Sequence, residues 1–216
     1  MPRRLGTQAS RAIAPRLILA SGSPRRRDLL ERAGLVFALR PAAIYETTRA
    51  GEAPEALVER LAREKAAAVA QALDPADAWV VLGSDTVVVL DRDILGKPRD
   101  AAHALELLGR LAGHTHRVLT GVAVATARGA RALHVESRVS MRRPTQAELR
   151  AYVSTGEPFD KAGAYALQGE GGRLVAQVEG SRSNVIGLPL RATLQLLAEV
   201  GVEPPELPRP EPGRTR

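Results

Sequence analysis

The stretch Trp-Val-Val-Leu-Gly-Ser-Asp-Thr-Val-Val-Val-Leu, residues 79–90, constrains the fold more than any other part of this chain. Eight of its twelve residues are Val, Leu or Trp, and Asp91-Arg92-Asp93 follows as a turn signal. Residues of that kind suit a pleated, buried backbone, so the run predicts a long strand. It is too short to span a bilayer as a helix. Asp85, in its middle, is out of place. Aspartate is a poor strand former, and a buried carboxylate costs several kcal/mol unless it is paired, protonated or metal-bound. One account puts Asp85 in a turn after "WVVLG". The continuation "TVVVL" carries no further breaker and argues instead for a carboxylate presented at the floor of a cleft.

Around that strand the pattern alternates. "RLILA" (16–20) reads as a short strand, and Pro24 to Ala33 as a helix stopped by Gly34. Residues 54–73 read as a long helix, and 100–112 as another stopped by Gly113. "HRVLTGVAVATA" and "RALHVESRVSMR" pair as a hairpin about Arg128-Gly129. In "PTQAELRAYVSTG", Thr145 and Glu148 have the spacing of a capping box. "RLVAQVEG" reads as a strand and "PLRATLQLLAEVG" as the closing helix. The mixture means an α/β or α+β domain. The length, 216 residues, suits one domain, which two lobes could share, over residues 16–202. Residues 1–15 hold Arg3, Arg4 and Arg11 without an acid and read as a disordered basic extension; they are too poor in apolar residues for a signal peptide. The Pro-rich residues 203–216 read as a disordered tail.

Charge narrows the partners. The formal net charge is +7, but residues 1–32 hold eight arginines against Asp28 and Glu31, so the body is nearly neutral. Aromatics are 3% of the chain, leaving few platforms for stacked bases, and nucleic acid is disfavoured as a partner. No apolar run approaches the ~18 residues of a membrane span. The chain has no cysteine, which excludes disulfides and thiolate chemistry and fits a cytoplasmic setting. Its four histidines show no metal-ligand spacing.

Two features point to an anion. "LILASGSPRRRDLL" takes a strand through small residues into a helix N-terminus, with Ser23 placed to cap and Pro24 at the first helical position. Such a terminus presents free N–H groups and the positive end of the dipole. Arg25 and Arg26 add donors that match phosphate oxygens, and a bound anion would relieve their conflict with the dipole. The competing account is a solvated basic turn. Second, only three of the 31 basic residues are lysines: Lys65, Lys97 and Lys161. In so arginine-biased a chain, these positions are candidates for needing a compact ammonium. Lys65 falls on the apolar stripe of its helix, either snorkelling past the core or bordering a polar cleft. Lys97 and Lys161 sit in the loops "LGKP" and "FDKAGAY".

Taken in order, "LILASGSPRRRDLL", "LAREKAAAVA", "VLGSDTVVVL", "LGKPRDAAHALELLGRLAGHTHRVLTGVAV", "STGEPFDKAGAYALQG" and "GSRSNVIGLPL" resemble the Maf family of nucleotide pyrophosphatases over roughly residues 16–198. The resemblance implies a mixed α/β fold similar to the inosine-triphosphate pyrophosphatases, with a long mixed sheet and two lobes around a deep cleft. It implies hydrolysis of a nucleoside triphosphate to the monophosphate and pyrophosphate with a divalent cation, Mg²⁺ or Mn²⁺. Carried over, Asp85 is the active-site acid, with Lys65 and Lys97 as catalytic lysines. Ser21, Ser23, Arg25 and Arg26 form the phosphate-facing turn, and Lys161 is a further cleft lysine. Arg25, Thr86 and Gln168 stand at the specificity positions of a branch acting on dTTP and UTP, and Gln168 offers a pyrimidine edge one donor and one acceptor. Where the family often has an acidic pair this chain has Tyr45-Glu46, leaving Glu46 beside Asp85 as a metal ligand. Arg182 stands where an aromatic is common.

The expectation is therefore a cytoplasmic dTTP/UTP pyrophosphatase keeping the nucleotide pool clean, with no nucleic-acid or membrane partner and, from the family, a homodimer. The alternatives are the same chemistry on 7-methyl-GTP, inosine triphosphate or another non-canonical nucleotide, or a non-catalytic nucleotide- or nucleic-acid-binding regulator linked to septum formation. Whether Asp85 is the general base or holds the metal stays open at this level.

Overall fold

The computed structural model describes residues 15–203, so all but Pro15 and Glu203 of the expected basic extension (1–15) and Pro-rich tail (203–216) lie outside the described residues. The elements are β1 (Arg16–Leu19), α1 (Pro24–Arg32), β2 (Ala38–Leu39), α2 (Pro54–Ala70), β3 (Trp79–Leu90), β4 (Asp93–Leu95) and α3 (Ala101–Leu111). There follow β5 (Thr115–Thr126), β6 (Gly129–Met141), α4 (Gln146–Ser154), three short 3-10 turns, β7 (Val175–Glu179), α5 (Arg182–Ile186) and α6 (Leu190–Ala198). The strands form one mixed sheet in the order β2-β1-β3-β5-β6-β7, with β4 also paired to β3. The long helix 54–73 ends three residues early, because Ala72 and Leu73 turn back to Val69 and Ala70 in a tighter pitch. The closing part of "RLVAQVEG" forms β7, while its first two residues belong to a 3-10 turn. The capping box of Thr145 and Glu148 is formed. Too short to carry a periodic signal, β2, β4 and α5 were not legible in the sequence.

β3 is the spine, buried at every residue except the half-buried Thr86. One of its edges pairs with β5 without a break from Val81 to Val89. The other is shared: β1 runs parallel to residues 79–82, and β4 antiparallel to residues 88–90. Between them residues 83–87 have no ladder partner on that edge. The sheet divides at this gap, and Asp85 is its middle residue.

Successive strand residues face opposite sides. Val81, Val87 and Val89 pack under α2 with Leu57, Leu61 and Ala66. On the other face Val80 and Leu82 pack with Leu29, Leu30, Leu196 and Leu197, whereas Val88 and Leu90 pack with Leu108 and Leu149. That face therefore carries two cores, one on each side of the gap.

The closeness of α2 has a sequence cause. Gly83 on β3 and Gly121, its neighbour's residue opposite Asp85, face the helix. A Cβ on Gly83 would stand 2.1 Å from the carbonyl oxygen of Ala62, and one on Gly121 2.1 Å from that of Val58. Only glycine lets the helix backbone rest on the sheet there. Lys65, a turn beyond Ala62, is thereby brought over Asp85.

Candidate active site

A cleft of about 370 Å³ opens at the unpaired edge of β3, within the size range of small-ligand sites. All eleven residues expected from the sequence border it: Ser21, Ser23, Arg25, Arg26, Glu46, Lys65, Asp85, Thr86, Lys97, Lys161 and Gln168. They come from the β1–α1 turn and the first turn of α1, the loop before α2, α2 itself, β3, the β4–α3 loop and the 3-10 segment after α4.

At its floor Lys65 Nζ donates to Asp85 Oδ1 at 2.6 Å and stands 2.6 Å from Glu46 Oε1. The Lys65 and Asp85 side chains are 8% and 9% exposed, so each charge is buried and each answers the other. Lys65 does not snorkel; it borders the polar cleft. Burial pulls the Glu46 carboxyl upward, but the hydrogen bond and charge of Lys65, helped by Lys97 and Arg26, outweigh it and hold the group below its ordinary range. Among the described residues no three His, Cys, Asp or Glu side chains gather to cage a metal. Two carboxylates converging on Lys65 at the floor of the cleft do suit Mg²⁺, which is commonly held by one or two carboxylates, waters and substrate phosphates.

The Ser-Arg turn differs from its expected wiring. Ser23 occupies the N-cap position with extended backbone, but its side chain makes no cap bond. The turn is tied by Ser21 instead, whose Oγ accepts from Ser23 N at 3.2 Å and from Arg26 Nη1 at 3.0 Å. Arg26 does not hold out a free fork. It is buried, and it also donates from Nε to the Gly187 carbonyl at 2.8 Å and from Nη2 to Thr86 Oγ1 at 3.1 Å. Burial lowers its pKa, and the Asp85 charge opposes that; an arginine stays a cation regardless. Thr86 is likewise engaged inward, 3.0 Å from Thr120 Oγ1. Arg25 points across the cleft to Asp160 Oδ2 at 3.1 Å, and Arg27 turns away to Asp28 and Glu31.

Sequence reasoning missed three participants. Asp160 holds both Arg25 and, through Oδ1 at 2.5 Å, Lys161; burial raises its pKa, but Lys161 and Arg25 together bring it below its usual value. Its signal was its place before Lys161 in "FDKAGAY". The Gly187 carbonyl, a partner of Arg26, leaves no mark in a sequence. Tyr165 borders the cleft, and its Oη lies 2.7 Å from Nε2 of the enclosed His116. Desolvation lowers the His116 pKa to about 4, so the ring is neutral at pH 7.

Among the described residues no helix is long and apolar enough to cross a membrane. Residues 16–200 match the family described as Maf-like protein. A dTTP/UTP pyrophosphatase of Myxococcus xanthus is 53% identical over 189 residues, 88% of this chain and 94% of that one. Proteins of the same name from Anaeromyxobacter dehalogenans and Moorella thermoacetica are 52% and 50% identical, covering 88% and 87% of this chain and 96% of each of theirs. A solved nucleoside-triphosphatase / dITP/XTP pyrophosphatase from Mycobacterium abscessus overlaps at a TM-score of 0.40 and 15% identity, over 86% of this chain and 94% of that one, too loosely to bear on fold or function. The family match begins at the first strand, takes in every side chain of the cleft and ends just past the last helix; the chain belongs to the Maf family.

Proposed function

We propose that this protein is a nucleoside triphosphate pyrophosphatase that hydrolyses dTTP and UTP to the monophosphate and pyrophosphate, removing surplus or modified pyrimidine nucleotides. The observation that carries the chemistry is the Lys65–Asp85 pair at 2.6 Å, buried at the gap in β3 with further cations around it. The pyrimidine preference is supported by Gln168 on the cleft wall and by the names of relatives at about half identity.

Water cleaves the α–β phosphoanhydride, and the bridging oxygen departs with pyrophosphate. Asp85 accepts the proton of the attacking water, and Lys65 fixes the orientation of that carboxylate. Lys97, Arg25 and Lys161 take phosphate oxygens and stabilise charge that develops on them. Arg26 acts from behind, holding Ser21 and Thr86 in place. Glu46 and Asp85 would hold a divalent cation, Mg²⁺ or Mn²⁺, which would supply neutralisation of the phosphate charge. The cysteine-free composition suits a cytoplasmic enzyme.

The test is pyrophosphate release from a panel of triphosphates with Mg²⁺ or Mn²⁺, beside Asp85→Asn. Release from dTTP and UTP that drops about 10³-fold in the variant is the expected result. Release from 7-methyl-GTP or inosine triphosphate alone would keep the chemistry and overturn the role given to Gln168. Binding of nucleotide without any release would leave the non-catalytic regulator as the better account.

A further inference from the structure

Between α4 and β7 the chain forms nothing longer than a five-residue 3-10 turn, yet it brings Asp160, Lys161, Tyr165 and Gln168 to the cleft. Such a segment has no ladder or helical repeat to hold its backbone. It also takes positive φ at Gly163, Ala164 and Gly169, with values of 69°, 60° and 86°; for the alanine this costs on the order of 1 kcal/mol. Side-chain contacts, rather than a ladder, must over-determine its shape.

Glu157 supplies them. Its Oε2 accepts from Glu170 N at 3.0 Å, and its Oε1 accepts from Gly171 N and from the Tyr152 hydroxyl, each at 3.0 Å. Tyr152 Oη in turn accepts from Ala166 N at 3.3 Å. The Glu157 carbonyl oxygen accepts from Lys161 Nζ at 2.6 Å. One residue thus closes the segment end to end while standing outside the cleft lining. Its carboxylate occupies the space that a side chain on the residue after Gln168 would need: a Cβ on Gly169 would stand 2.4 Å from Oε2.

A glutamine amide can serve either of two base edges by turning over, so selection depends on where its backbone holds it. We propose that Glu157 is a positioning residue for base selection, its carboxylate setting through Glu170, Gly171 and Tyr152 where Gln168 stands. The inference rests on the pyrimidine triphosphate reading above.

Glu157→Gln keeps the size but turns one acceptor oxygen into an NH₂ facing an N–H or hydroxyl donor. The expected result is a KM for dTTP and UTP raised about tenfold, a kcat at saturation within about twofold, and a preference for UTP over CTP lowered about fivefold. Tyr152→Phe removes one of the three donors and moves the same quantities the same way by less. An unchanged KM and UTP-to-CTP ratio in Glu157→Gln overturns the inference. So does an equal loss of kcat on every triphosphate with KM unmoved, the signature of a merely structural role. If thermal melting shows that Glu157→Gln does not fold, Tyr152→Phe decides by the same ratio. Wild-type protein that turns over no pyrimidine triphosphate overturns the underlying reading, and the inference falls with it.

Discussion

At one end of the cleft, Lys65 and Asp85 stand in the middle of a seventeen-residue helix and of a twelve-residue strand. Their backbones are held by regular hydrogen bonds and by the direct seating of α2 on Gly83 and Gly121. At the other end, Lys161 and Gln168 stand on short turns whose shape is imposed by one carboxylate and one tyrosine hydroxyl. The groups proposed to move the proton are set by main-chain geometry that few side-chain changes can alter. The groups proposed to face the base are set by side chains, which a single substitution can retune. Chemistry common to many triphosphates on the rigid part and discrimination on the adjustable part is a division this comparison makes testable.

The largest effect is expected from Lys65→Met. It strands Asp85 and Glu46 without their shared cation, and should cost roughly 3–5 kcal/mol of stability together with at least about a 100-fold loss of turnover on every triphosphate. Adding Asp85→Asn should restore part of the melting temperature and none of the activity. A Lys65→Met protein as stable as wild type would mean that the pair is not the buried, mutually dependent unit described.

Gly83→Ala comes next. Its methyl group meets a backbone oxygen rather than a yielding side chain, so α2 must lift, at about 3 kcal/mol. Turnover should fall by a similar factor for UTP and CTP, in contrast to Glu157→Gln. A change in base preference here would erase the distinction between the two ends.

His116 tests the packing around Tyr165 by pH. Its folded pKa of about 4 lies below the ordinary 6.5 of the unfolded chain. Between those values the unfolded state binds a proton that the folded state refuses, so stability from this group is complete above pH 6.5 and is lost as pH falls towards 4. The loss should be on the order of 2–3 kcal/mol. Melting temperatures measured from pH 7 to 4 should fall less steeply in His116→Phe, and parallel slopes would show that the ring titrates normally. The smallest effect, of opposite sign, belongs to Gly109→Ala in α3. Nothing lies within 4 Å of the added Cβ, and a gain of about 0.5–1 kcal/mol in chemical denaturation is expected.

Much of this molecule was determined by the sequence alone. The length and apolar content of residues 79–90 require a buried strand, and an aspartate there requires a partner. The periodicity of α2 places Lys65 on its inward face, and the excess of Arg over Lys marks the three lysines that border the cleft. These are local facts, because strand alternation and helical pitch repeat over a few residues and leave their period in the chain. What only tertiary structure decided depends on pairs far apart in sequence. The gap in the β3 edge exists because β1 and β4 happen to stop short of one another. Arg26 turned inward rather than to a ligand because the Gly187 carbonyl, 161 residues away, arrives beside it. Glu157 acquired its place because Glu170 and Gly171 return to it without any repeating structure between. A hydrogen bond that closes over such irregular backbone has no period, so no spacing in the sequence could announce it.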